Sequence, residues 1–139
     1  MQLQEAMIFS GKKIMVVEND ATSRKSIVDL LRNRKALCLE AQNGQEAASL
    51  LATNHCDLII TNLRMPVMDG VELIKMVREC EKKSGSTSVP IVVFCAAKSD
   101  MFDAAIDSGI DGYVIKQDPF EKSESLPKLI LELQRLLAD

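Results

Sequence analysis

Five times along this chain of 139 residues, a short apolar run gives way to a segment with helical spacing. The runs are Ile14–Val17, Leu37–Ala41, Leu58–Ile60, Ile91–Phe94 and Tyr113–Ile115. An unbroken apolar run suits a strand covered on both faces, whereas a half-exposed strand would alternate. Between the runs, apolar residues recur at three- and four-residue steps: Ile27, Leu30 and Leu31; Ala47, Ala48 and Leu51; Leu73, Ile74 and Val77; Met101, Ala105 and Ile106. The longest stripe comes last, through Leu126, Leu129, Ile130, Leu133, Leu136 and Leu137. Strand–helix alternation of this kind predicts an α/β domain, a parallel sheet with helices on both faces.

Punctuation agrees with that order. Asp20 is suited to cap the first helix, and Asn43-Gly44 breaks the chain before the second. Leu63–Gly70 is a loop carrying Pro66 and Gly70, Glu81–Ser88 is a polar linker, and Gly109 stops the fourth helix. Pro127 fits the first turn of the fifth. Residues 1–11 hold Leu3, Met7, Ile8 and Phe9 without periodicity and are expected to be a linker or tail. Residues 12–139 are expected to form one domain.

Composition removes several classes of function. With 47% hydrophobic and 27% charged residues, the chain can bury a core without disulfides or metal. The net charge of −3 is spread among residues of both signs, and the lack of a basic block argues against direct nucleic-acid binding. The apolar runs are too short to span a membrane. The first eleven residues lack the basic start and apolar core of a secretion signal, so a cytoplasmic protein is expected. Cys38, Cys56, Cys80 and Cys95 have neither CxxC pairing nor metal spacing and read as small buried residues in a reducing compartment. His55, the single histidine, reads as a solvated loop residue.

In open parallel sheets, chemistry gathers outside the carboxyl ends of the strands. The residues there are Glu18, Asn19 and Asp20 after the first run, Asn62 after the third, Cys95 after the fourth and Lys116 after the fifth. The second strand offers nothing comparable.

These residues carry a resemblance. The stretch Asp57 to Gly70, DLIITNLRMPVMDG, resembles the third strand, phosphoacceptor loop and MPxMDG turn of response-regulator receiver domains. Val16–Asp20 resembles that family's first strand and acidic cluster, Pro90–Ala96 its fourth strand, and Gly109–Lys116 the segment bearing its lysine. The likeness runs from about Lys12 to Leu137. It implies a flavodoxin-like three-layer sandwich, with a five-stranded sheet in the order 2-1-3-4-5 and five helices. It implies a place in two-component signalling, where a histidine kinase passes a phosphoryl group to an aspartate. Mg²⁺, a lysine and a Ser or Thr hydroxyl assist that transfer.

The chain departs from this pattern at four positions. Asn62 occupies the acceptor position, and a neutral amide cannot be the carboxylate nucleophile. Asn19 stands at the second position of the acidic pair, Cys95 at the Ser/Thr switch, and Gln117 where a proline usually follows the lysine. Glu18 and Lys116 match, and Tyr113 stands at the aromatic switch position. Charges in the pocket then nearly cancel, so Mg²⁺ binding is expected to be weak, with Glu18 and Asn19 as the candidate ligands. The resulting expectation is a pseudo-receiver that signals through protein partners, without aspartate phosphorylation and without enzymatic activity. Its partners would be a histidine kinase, an output domain, or a second copy across helix 4, strand 5 and helix 5. That face would include Asp100, Asp103, Tyr113, Lys122, Lys128 and Arg135. Two alternatives stand beside it: an ordinary receiver carrying an acceptor-site substitution, and a flavodoxin-like small-molecule binder. The absence of a phosphate-cradling glycine loop weighs against the latter.

Overall fold

The computed structural model describes residues 7–96, 100–117 and 124–138. Pro119 and Lys122 lie outside them. Five strands, β1 (Lys13–Val17), β2 (Leu37–Ala41), β3 (Leu58–Thr61), β4 (Ile91–Cys95) and β5 (Gly112–Ile115), form one sheet in the order β2-β1-β3-β4-β5. All four pairings are parallel. Helices α1 (Ala21–Arg32), α2 (Gly44–Leu51), α3 (Gly70–Ser84), α4 (Asp100–Gly109) and α5 (Ser125–Leu137) connect and flank the strands. Residues 7–9 add a sixth helical segment before β1.

Strand periodicity divides the core in two. Met15, Val17, Ile59, Val93 and Cys95 face Ala47 of α2, Leu73, Ile74 and Val77 of α3, and Phe102 and Ala105 of α4. Ile14, Val16, Leu58, Ile60, Val92, Phe94 and Val114 face Ile27, Val28 and Leu31 of α1 and Leu129, Ile130 and Leu133 of α5. Both faces of the central strands are thus dry, which accounts for their unbroken apolar runs. Phe9 is wholly buried in the second core. Burial of such a side chain contributes on the order of 1.5–3 kcal/mol, so residues 7–11, which lack periodicity, nonetheless include a core residue.

Local signals explain the helix ends. The Asp20 and Asn43 side chains accept the backbone N–H of Ser23 and Glu46, respectively. Asp69 and Glu72 form a reciprocal capping box at the start of α3. That helix runs on to Ser84 and stops at Gly85, whose φ is 69°. The segment expected as a linker from Glu81 is therefore helical for its first turn. There the Glu81 carboxylate takes the Val89 N–H, beyond the helix, at 2.7 Å and the Arg78 guanidinium, one turn earlier in α3, at 2.8 Å. Cys56 and Cys95 are buried as expected, but Cys80 is exposed on α3.

Candidate functional site

Parallel register brings the strand ends together. Val17 is level with Ala41 and Thr61, Thr61 with Val93, and Cys95 with Ile115. The next residues along β1, β3 and β5 are Glu18, Asn62 and Lys116, and they meet in a cleft of about 350 Å³ that Asn19, Asp20 and Cys95 also line.

Glu18 is the centre of this site. Its residue is only 2% exposed, and a carboxylate so placed requires several donors. The Lys116 ammonium pairs with Oε1. Oε2 accepts the Asp20 N–H at 3.0 Å and the Asn62 Nδ2 at 3.2 Å. The Glu18 backbone is held as well: its N–H donates to the Ala41 carbonyl at 3.0 Å, and its carbonyl accepts Arg24 Nη1 at 2.7 Å. Sequence reasoning missed Arg24, because a helix-surface arginine carries no mark of which backbone carbonyl it will reach, here that of Glu18 six residues earlier.

Asn62 is hydrogen-bonded through both its amide nitrogen and its amide oxygen. Beyond Glu18, its Nδ2 donates to Asn19 Oδ1 at 3.3 Å, and its Oδ1 accepts the Leu63 N–H at 2.8 Å. The reverse amide orientation would set oxygen against the Glu18 carboxylate and NH₂ against the Leu63 N–H. The chemistry of its neighbours therefore fixes the amide.

The remaining positions follow. Asp20 caps α1 through Ser23 at 2.8 Å, and that backbone hydrogen bond, then the Ser23 side chain, lowers its carboxyl below the usual range. Its charge is thus engaged at the helix terminus. Lys116 lies 5.3 Å from the centroid of the Phe94 ring and donates its backbone N–H to the Cys95 carbonyl at 2.7 Å. Cys95 is buried at the end of β4. Tyr113 is 41% exposed and meets Phe102 edge-on, with ring centroids 4.8 Å apart. Gln117 has a structural use that proline could not supply, since its backbone N–H donates to Ser125 Oγ at 2.8 Å.

The β3–α3 loop closes one side. Gly70 packs so tightly that a Cβ there would stand 2.1 Å from the Asn62 carbonyl oxygen. Before it, the Met68 N–H reaches the Pro66 carbonyl at 2.8 Å around Val67, whose φ is 69°. The Met68 carbonyl accepts the Gly44 N–H at 2.8 Å, tying the loop to α2.

The side-chain oxygens of Glu18, Asn19 and Asn62 in this cleft are engaged within the protein, each already accepting a hydrogen bond. Mg²⁺ needs hard oxygen ligands in an octahedral shell. Among the described residues, no three His, Cys, Asp or Glu side chains are grouped to hold a metal.

A parallel 2-1-3-4-5 sheet with an acidic residue, an acceptor-position residue and a lysine at its carboxyl edge defines a receiver-type signalling module. The response regulator receiver domain family matches residues 14–128, and the chain belongs to that family. It is 30% identical over 134 residues to chemotaxis protein CheY-3 of Vibrio cholerae, covering 95% of this chain and 99% of that protein. It is 37% identical over 109 residues to an uncharacterized 14.6 kDa protein of Leptolyngbya boryana, covering 78% and 82%. Among solved structures, it matches the receiver domain of Saccharomyces cerevisiae Ssk1, crystallised with the histidine phosphotransfer protein Ypd1. The TM-score is 0.81 and the identity 28%, with 94% and 91% of the two chains covered. The fold also matches a Pseudomonas aeruginosa histidine-kinase receiver domain that holds a magnesium ion in its active-site cleft. There the TM-score is 0.77 and the identity 24%, with 94% and 100% covered. Receiver domains are signalling modules of two-component systems. Among the described residues, no helix is long and apolar enough to cross a membrane.

Proposed function

We propose that this chain is a pseudo-receiver: a protein-interaction module of two-component signalling that does not accept a phosphoryl group on its third-strand residue. The observation that carries this reading is the Asn62 amide, donating to Glu18 and Asn19 and accepting from Leu63. A carboxylate nucleophile would need a free lone pair at that position, and the amide nitrogen has none to offer. The co-fitted Asn19 and Gln117 favour a site that has diverged as a whole over an ordinary receiver with one replaced residue. Mg²⁺ binding is weak, because the Lys116 ammonium and Asn62 already satisfy Glu18. The free thiols accord with a cytoplasmic setting.

Partners in this proposal are a histidine kinase, a phosphotransfer protein or an output domain, met on the α4–β5–α5 face. Ile106, Tyr113 and Leu131 are exposed there, beside Lys128, Glu132 and Arg135. The same face can pair two copies of the chain.

Incubation with acetyl phosphate and Mg²⁺, followed by intact mass measurement, tests the central claim. No adduct is expected on the parent chain. A stoichiometric, hydroxylamine-labile phosphoryl adduct would overturn the proposal. For the interaction face, charge reversal at Asp103 and Lys128 is expected to weaken self-association or partner capture in sedimentation and pull-down.

A further inference from the structure

We propose that Asn62 is a clasp: with Lys116, its amide takes the place of a divalent cation in holding the carboxyl ends of β1, β3 and β5 together. The inference rests on the pseudo-receiver reading and adds to it a positive structural role for the residue that replaces the acceptor.

The argument begins at Glu18. Its buried carboxylate carries one full negative charge and has two oxygens to satisfy. One oxygen takes the Lys116 ammonium at the end of β5; the other takes an N–H from Asp20 and another from Asn62 at the end of β3. Three strand ends thus converge on one anion, and the Lys116, Asp20 and Asn62 groups bonded to it are all donors. An aspartate at position 62 would bring a second carboxylate to about the same place, roughly 3 Å from Glu18 Oε2, where like charges repel strongly and a cation becomes necessary. The amide has the shape of that carboxylate with the opposite hydrogen-bonding character on the atom that faces Glu18.

Position 19 behaves differently. Asn19 is exposed and contributes its Oδ1 as an acceptor for Asn62 Nδ2 at 3.3 Å. A carboxylate at position 19 can accept the same N–H, and its charge is largely solvated. The two asparagines are therefore not equivalent. Asn19→Asp preserves the clasp, and Asn62→Asp inverts it.

Thermal melts of the full chain, in EDTA and in millimolar MgCl₂, separate these roles. Asn19→Asp is expected to melt within about 2 °C of the parent, and Asn62→Asp about 5 °C or more below it in EDTA. Mg²⁺ should raise Asn62→Asp, and the double variant most of all, while leaving the parent unmoved. Asn62→Ala removes the donor without adding charge, so it should melt between the parent and Asn62→Asp and ignore Mg²⁺. It also decides the matter should Asn62→Asp fail to fold. Equal losses at positions 19 and 62 would overturn the clasp, as would a parent raised by Mg²⁺ as much as Asn62→Asp. A phosphoryl adduct on the parent would instead remove the pseudo-receiver reading, and the melts in EDTA would still stand as a measure of the clasp.

Discussion

Glu18 and Arg78 sit at opposite ends of the sheet and solve the same problem with opposite charge. Glu18 lies beyond the carboxyl end of β1, an anion ringed by donors from Asp20, Asn62 and Lys116. Arg78, on α3, lies near the amino ends of β4 and β5. It is a cation ringed by acceptors: the Val89 carbonyl at 2.8 Å, the Gly109 carbonyl at 2.9 Å, Glu81 Oε1 at 2.8 Å and Asp111 Oδ2 at 3.0 Å. Asp111 in turn accepts the Ile91 N–H at 2.8 Å, and Glu81 the Val89 N–H. Arg78 thus fastens α3 to the entry of β4 and the exit of α4. The comparison teaches that both ends of the sheet are tied by a buried or half-buried charge ringed by partners. What differs is exposure: the Glu18 side chain is 3% exposed and that of Arg78 is 19%.

That difference sets the order of mutational effects. Glu18→Ala leaves the Lys116 ammonium unpaired in a nearly dry site and should cost about 3–5 kcal/mol in urea unfolding. Arg78→Ala removes four contacts, but Asp111 is 41% exposed and can be hydrated, and Glu81 keeps the Val89 N–H, so about 2–3 kcal/mol is expected. Equal losses would mean that exposure does not separate the two sites.

Gln117→Pro tests the functional end again. It deletes the N–H that reaches Ser125 Oγ beside a wholly buried Ser125 residue. A loss of about 1–2 kcal/mol is expected. An unchanged unfolding midpoint would show that Gln117 has no structural role.

Asp20→Ala should cost about 1 kcal/mol at neutral pH through the lost α1 cap. The folded-state pKa of Asp20 is lowered, so its contribution is complete above the ordinary carboxylate value and is lost as pH falls through the folded one. The gap between parent and variant should therefore hold from neutrality to about pH 4 and close below it. A gap that instead closes as pH rises would contradict the assigned direction.

The smallest effect belongs to Val67, a β-branched residue held at positive φ and 79% exposed. Val67→Gly relieves the strain but loosens the unfolded chain, leaving a net gain of about 0.5 kcal/mol. A loss would mean that the exposed side chain makes a stabilising contact.

Much of this molecule was legible along the chain. Unbroken apolar runs announced strands buried on both faces, and Asp20, Asn43 and Gly109 marked helix ends, because these signals act within a few residues. The residues of the cleft were legible too, since each follows directly on a strand. The last turn of α3 was not. Its Glu81–Ser84 segment is polar, and besides the i,i+3 pair with Arg78 it is held by a Val89 contact beyond the helix that no local pattern encodes. Phe9 was equally hidden, a lone aromatic that becomes core only when α1 and α5 close over it.

The sequence by itself determined the order of elements, the parallel sheet and the presence of an amide at position 62, because each depends on residue type at a given place. Only the tertiary structure decided what Asn62 does there. An amide has both donors and acceptors, and which of them matter depends on the partners that parallel register brings within reach. Glu18 and Asn19, 44 and 43 residues away along the chain, face its NH₂ group, and Leu63 faces its oxygen. That placement makes Asn62 a hydrogen-bonded joint between the ends of β1 and β3.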